Sequence, residues 1–206
     1  MGTEAKGYLE TRGTGSAAAA PDVAVVSLGL SCPGPTVAVA LTGLASSSDR
    51  LLQSLAEREV GASDVQSTRA SLDQEWDHEG HRVTGFSASQ TFAVRLHDVG
   101  SVGDLVGAAA GAAGDAFRLH GLSWQFADAE PLLALAREAA FRDAEAKARQ
   151  YADLAGRGLG PVLRVRESGG AFAPRQLRSM VAGASVEMAP GESELTASVT
   201  VRWRLT

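Results

Sequence analysis

The chain has 206 residues, is 45% hydrophobic, 21% charged and 5% aromatic, and carries a formal net charge of -5. That profile fits one globular domain, or one core with an appended lobe, and argues against a nucleic-acid-binding surface. The single cysteine, Cys32, excludes an intrachain disulfide and any cysteine cluster around a metal.

In chain order, residues 7–14 predict a short strand ending in Gly13-Thr14-Gly15, followed by a linker over 17–21. Residues 22–31 predict a strand with Ala24, Val26, Leu28 and Leu30 on one face. Pro33-Gly34-Pro35 ends it, and Pro35 suits the first turn of a helix over about 36–59. Ser46-Ser47-Ser48-Asp49 is poor helix material and predicts a kink there. A turn at Gly61-Ala62-Ser63-Asp64 leads to a strand over 65–78, a hairpin turn at His78-Glu79-Gly80-His81, and a return strand over 82–97. That return strand places Phe86, Ala88, Phe92, Val94 and Leu96 on one face.

Asp98 or Ser101 is placed to cap a Gly/Ala-rich helix over 102–113. The strand over 117–126 changes phase near Gly121, which predicts a bulge. Asp128 then caps a long helix with Pro131 in its first turn. Leu132, Ala136, Ala140, Ala144, Ala148 and Ala152 recur every four residues along it, a ladder of small residues suited to close packing. Gly156, Gly158 and Gly160 end the helix, and a strand over 161–168 follows. Residues 168–190 read as a long loop. The last strand alternates Leu195, Ala197, Val199, Val201, Trp203 and Leu205 with polar residues.

The order from 22 to 127 is β-α-β-β-α-β. It predicts an α+β fold: an antiparallel sheet with a ferredoxin-like core, plus a long helix and two closing strands over 128–206. The whole chain, 1–206, is expected to form one domain, with the alanine ladder covering or extending the core.

Candidate chemistry is sparse. Asp73, Glu75, Asp77 and Glu79 alternate, so a strand would carry all four carboxylates on one face. A divalent cation with oxygen ligands is one reading. The favoured reading is a solvated edge whose charges discourage unwanted pairing, with pairing to arginines of a neighbouring subunit as a further option. His78 and His81 flank the hairpin turn beside Asp77 and Glu79 and are weak candidates for zinc or copper. Cys32 is expected to be a buried small hydrophobe, with a reactive thiol as the minority reading. Gly13-x-Gly15 precedes a linker, so it is no dinucleotide fingerprint. No catalytic constellation, cofactor or assigned metal site emerges.

Gly13-Thr14-Gly15, Asp64-Val65-Gln66-Ser67, the run from Arg82 to Ser89, the helix from Ala136 to Ala155 and Leu159-Gly160 together resemble the SIMPL-domain family. This family includes bacterial periplasmic immunogenic and oxidative-stress-defence proteins. The resemblance covers almost the whole chain. It implies an exported protein linked to oxidative-stress tolerance, homo-oligomers in one branch, and no established activity or catalytic residues. The expected partner is another copy of the chain, with a protein partner as a further option and neither nucleic acid nor a membrane span. No run approaches about 18 apolar residues. The first residues carry no basic, apolar leader, so the chain reads as cytoplasmic as written, and as periplasmic or extracellular if a leader has been removed. The leading expectation is a non-enzymatic self-assembling domain. The runner-up is a redox- or metal-protective module acting through Cys32 or the His78/His81 hairpin.

Overall fold

A computed structural model describes residues 7–168, 175–176 and 190–206. These residues divide into two compact units, one over 21–127 and the other over 7–20, 128–168, 175–176 and 191–206.

In the 21–127 unit, β2 (Val23–Gly34), α1 (Val37–Ala56), β3 (Val65–Trp76), β4 (Val83–Leu96), α2 (Val102–Ala113) and β5 (Phe117–Gln125) follow one another. The antiparallel sheet has the order β3-β4-β2-β5, so each helix crosses between strands that leave a gap for a third. This is the expected ferredoxin-like arrangement. Alternation sends Val26, Leu28, Leu30 and Cys32 of β2, with Ala88, Phe92 and Val94 of β4, into one core. Leu51 and Leu55 of α1 and Val102, Leu105 and Ala109 of α2 close it.

Helix α1 runs unbroken through Ser46–Asp49, contrary to the predicted kink. The serines are accommodated because their hydroxyls find partners: Ser48 donates to Gln90 Oε1 (3.2 Å), and Ser47 accepts from the Arg50 guanidinium (3.1 Å). The predicted bulge lies at His120, which is passed over as pairing steps from Ser27–Gly121 to Leu28–Leu119.

In the other unit, β1 (Tyr8–Ala19) pairs along its whole length with β8 (Ser193–Leu205), and β8 pairs with β6 (Leu159–Ser168) and the short β7 (Arg175–Gln176). Strand β1 is longer than predicted. The run Ala17–Ala19 looks like linker in isolation, but β8 pairs it residue by residue, Ala17 opposite Leu195 and Ala19 opposite Ser193. The loop predicted over 168–190 lies mostly outside the described residues.

Helix α3 (Glu130–Leu154) packs on β1 and β8, so the ladder serves the sheet of its own unit and not the 22–127 core as expected. Ala136, Ala140, Ala144, Ala148 and Ala152 are all buried. The approach is close because Gly13 and Gly15 lie beneath the ladder. A Cβ built on Gly13 would stand 2.0 Å from the Ala140 carbonyl oxygen, and one on Gly15 would stand 2.2 Å from the Ala140 nitrogen. Thr11 Oγ1 donates to the Ala144 carbonyl (2.9 Å) and accepts from Trp203 Nε1 (3.1 Å), while the Trp203 ring meets Phe141 at 5.7 Å between centroids. At the helix start, Asp128 accepts from the Glu130 N–H (2.9 Å), and Gly156 ends the helix at φ 63°.

The free edge of β1 is sealed by helix side chains. Thr14 N–H donates to Asp143 Oδ2 (2.8 Å), and Lys147 Nζ donates to the Arg12 carbonyl (3.2 Å) and to Asp143 (2.6 Å). The Lys147 ammonium, and then the Thr14 N–H, hold the Asp143 carboxyl below the usual carboxylate range.

The glycines have opposite consequences by position. Gly13→Ala places a methyl against backbone, so it should lose about 2–3 kcal/mol in urea unfolding although alanine is the better strand residue. Gly107→Ala on α2, with open space around its Cβ position, should gain about 0.5–1 kcal/mol.

Because ionised Asp143 is favoured by folding, its contribution is present above the unfolded carboxyl pKa of about 4 and is lost as pH falls through the lower folded value. Thermal melts should therefore show Asp143→Asn less stable than the parent at pH 7, with the gap narrowing as pH drops below about 4.

Candidate functional site

Strand alternation gives the sheet of β1, β8 and β6 two unlike faces. The face toward α3 is apolar on β8, with Ala197, Val199, Val201 and Trp203 buried. The opposite face is built in transverse rows set by register. Arg12, Thr200 and Arg166 form one row, and Glu10, Arg202 and Arg164 form the next. Arg204 sits opposite Tyr8 at the end of β8. Five arginines therefore meet one carboxylate over these rows.

Arg202 is occupied: it bonds Glu10 (2.9 Å) and its guanidinium lies 4.4 Å from the centre of the Tyr8 ring. Arg12 donates to Ser198 Oγ (2.8 Å). Arg164 and Arg166 have no ion-pair partner among the described residues, and with Ser168 and Thr200 they border a shallow hollow of about 270 Å³.

Strand β6 is also the least covered strand of its sheet. Register puts Val165 opposite Val201, on the helix side, yet Val165 is 52% exposed, and Leu163 (47%) and Val162 (41%) are similar. The link to α3 is polar: Arg137 bonds both Glu167 of β6 (3.1 Å) and Glu130. Among the described residues, no strand pairs with the other side of β6.

In the 21–127 unit the sequence-predicted residues are placed as follows. Asp73 and Glu75 stand on β3, a sheet edge, on the face away from the helices, opposite Ser87 and Gly85. Asp73 accepts from Ser71 Oγ (3.1 Å), and neither carboxylate has a cationic partner among the described residues. Asp77 is committed to the turn, accepting from the His81 N–H (2.8 Å). His81 Nδ1 lies 3.6 Å from Glu79, and His78 is exposed. Among the described residues, no three of His, Cys, Asp and Glu gather closely enough to hold a metal ion.

Cys32 is buried beneath α1, with its Sγ 3.7 Å from Ser47 Oγ, as a packing residue would be. Ellman's reagent should therefore label Cys32 slowly in the folded protein and at once in denaturant; rapid labelling of the native chain would restore the reactive-thiol reading.

Two hollows of the 21–127 unit were not legible in the sequence. Asp64 and His97 approach to 3.6 Å in a polar hollow of about 310 Å³ bordered by Gln66, Arg95 and Gln125. Pairing of β3 with β4 joins them, and only the register, unknown before the fold, could have signalled it. An open groove of about 900 Å³ runs between the end of α1 and the start of α2, with Glu57, Arg58 and Asp104 on its rim. Neither hollow combines a nucleophile with a base and a set of oxyanion donors.

The chain is 27% identical over 212 aligned residues to a 26 kDa periplasmic immunogenic protein of Brucella abortus, covering 94% of this chain and 82% of the relative. The protein of the same name from Brucella melitensis biotype 1 matches with the same identity and coverage. The SIMPL family model, described as a protein of unknown function (DUF541), matches residues 9–203. With the match spanning nearly the whole chain, this protein belongs to the SIMPL family.

Proposed function

We propose that this chain is a non-enzymatic, self-assembling α+β domain that builds a homo-oligomer, in a role connected with stress tolerance or partner binding. The observation that carries the reading is β6: Val162, Leu163 and Val165 are exposed on a strand whose outer edge has no pairing partner among the described residues. Free edges with apolar side chains are templates for adding another chain, and monomeric proteins ordinarily cover or charge them. The sealed edge of β1 makes the contrast within one sheet. No helix of the described residues is long and apolar enough to cross a membrane. The Brucella relatives are named periplasmic, which supports an exported location for this chain after removal of a leader.

Sedimentation velocity over a concentration series tests the reading. The parent chain should shift to larger species as concentration rises. Leu163→Lys/Val165→Lys, which charges the exposed edge, should raise the concentration needed for assembly about tenfold or more while leaving the thermal melt in place. A parent chain that stays monomeric up to about 100 μM, well above the range of a stable dimer, would overturn the proposal.

A further inference from the structure

Resting on the self-assembly reading, we infer that the surface β6 meets is the β3 edge of a second copy, selected by pairing Arg164 and Arg166 with Asp73 and Glu75. Both strands are sheet edges without a second neighbour among the described residues. Both alternate in the same sense. On β6, Val165 lies opposite Val201 on the helix side and Arg164 and Arg166 lie on the other face; on β3, Leu72 lies on one face and Asp73 and Glu75 on the other. Within each charged pair the residues are two apart, so both pairs repeat at about 6.4–6.8 Å along their strands.

Laid edge to edge, the two strands continue one sheet with carboxylates beside guanidiniums on one face and exposed aliphatic residues together on the other. Adjacent strands bring such side chains within contact, where opposite charges attract and like charges repel. Backbone pairing supplies the attachment, as in other cases of strand addition.

The charges also explain why the edges would not pair with themselves. Two β6 edges would set arginines against arginines, and two β3 edges matched at Asp73 and Glu75 would set carboxylates against carboxylates; Arg69, on the same face of β3, offers those edges only the shifted register that sets it against Asp73. The mixed pairing at Asp73 and Glu75 is free of like-charge contacts, which disfavours the wrong partner. A free polyanion is the other ligand that an arginine face can take. The net charge of -5 disfavours it at long range, and a polyanion would leave Leu163 and Val165 uncovered. The mixed contact is head-to-tail, so it generates a ring if the rotation closes and a filament if it does not.

Two charge-reversed variants of the full chain test the pairing by sedimentation velocity: Arg164→Glu/Arg166→Glu, and Asp73→Arg/Glu75→Arg. Each alone should assemble about tenfold or more less readily than the parent, since its two edges now carry like charge. An equimolar mixture should recover assembly, because every contact between unlike variants is again complementary. Should a reversed variant fail to melt cooperatively, the parent chain still decides: its assembly should weaken as salt rises from about 0.05 to about 0.5 M. Variants that each assemble like the parent, a mixture that stays dissociated, or salt-independent assembly would overturn the pairing while leaving self-assembly intact. So would Arg166-dependent binding of inorganic polyphosphate by a chain whose reversed variants still assemble. A monomeric parent would instead remove the reading on which the pairing rests.

Discussion

The contact between Gly13, Gly15 and the alanine ladder is the constraint on which the second unit depends. A helix of ordinary side chains would stand off from the sheet by a full side-chain layer. At Gly13 and Gly15 the strand offers no side chain and the ladder no more than a methyl, and a Cβ at Gly13 would reach 2.0 Å from the helix backbone. The closeness has consequences beyond packing. It brings the Ala144 carbonyl within reach of the Thr11 hydroxyl, and through it the Trp203 indole. It also brings Asp143 and Lys147 to the strand edge, where they bond the Thr14 N–H and the Arg12 carbonyl. Dispersion contacts between small groups are individually weak, so their number and fit must supply the stability that large side chains give elsewhere. The 21–127 unit follows the opposite strategy, with Phe92, Leu28, Leu30 and Leu51 buried in a conventional core.

The same close packing explains why the two edges of one sheet differ. Helix α3 lies over β1 and β8, and its polar flank can reach only the β1 side with two residues a turn apart, Asp143 and Lys147. On the other side its link to β6 is the exposed Arg137 bridge to Glu167, which ties side chain to side chain and leaves the β6 backbone edge untouched. An ion pair of that exposure contributes little to stability. A helix wide enough to cover three strands would need long apolar side chains, and the ladder excludes them where it touches β1. Exposure of Leu163 and Val165 is thus a by-product of how tightly the helix is held against β1.

Much of this was legible in the sequence, and the failures share a cause. The four-residue repeat of alanines predicted a close-packed helix, and the alternation of residues 82–97 and of the last strand predicted two half-buried strands. These signals are local and periodic. What the ladder packs against was not legible, because Gly13 and Ala140 are more than a hundred residues apart and Gly13-x-Gly15 has no periodicity of its own. Ala17–Ala19 looked like a linker for the same reason, since its strand character comes from β8. Ser46–Asp49 misled in the other direction: intrinsic propensity argued against helix, and partners at Gln90 and Arg50, known only from the fold, outweighed it. Among site residues, the carboxylates of β3 were visible from alternation alone, whereas the proximity of Asp64 to His97 needed the β3–β4 register.

That distribution of signals bears on where function resides. Enzyme sites draw polar residues out of register and into a concavity, and they leave strained or unpaired groups behind. Here the described buried polar side-chain atoms all have partners, and the lone thiol is packed under a helix. Among the described residues, two exposed edges stand out: β3 with its two carboxylates, and β6 with arginines that have no ion-pair partner, each with aliphatic residues beside the charges. Such features cost a lone molecule solubility and electrostatic self-repulsion, and they become favourable only when another surface meets them. Residues 69–75 of β3 and 164–168 of β6 pair in continuous register on their inner sides, so the charges within those stretches have fixed spacings. A rigid edge with fixed charge spacing can discriminate among partners without any mobile element.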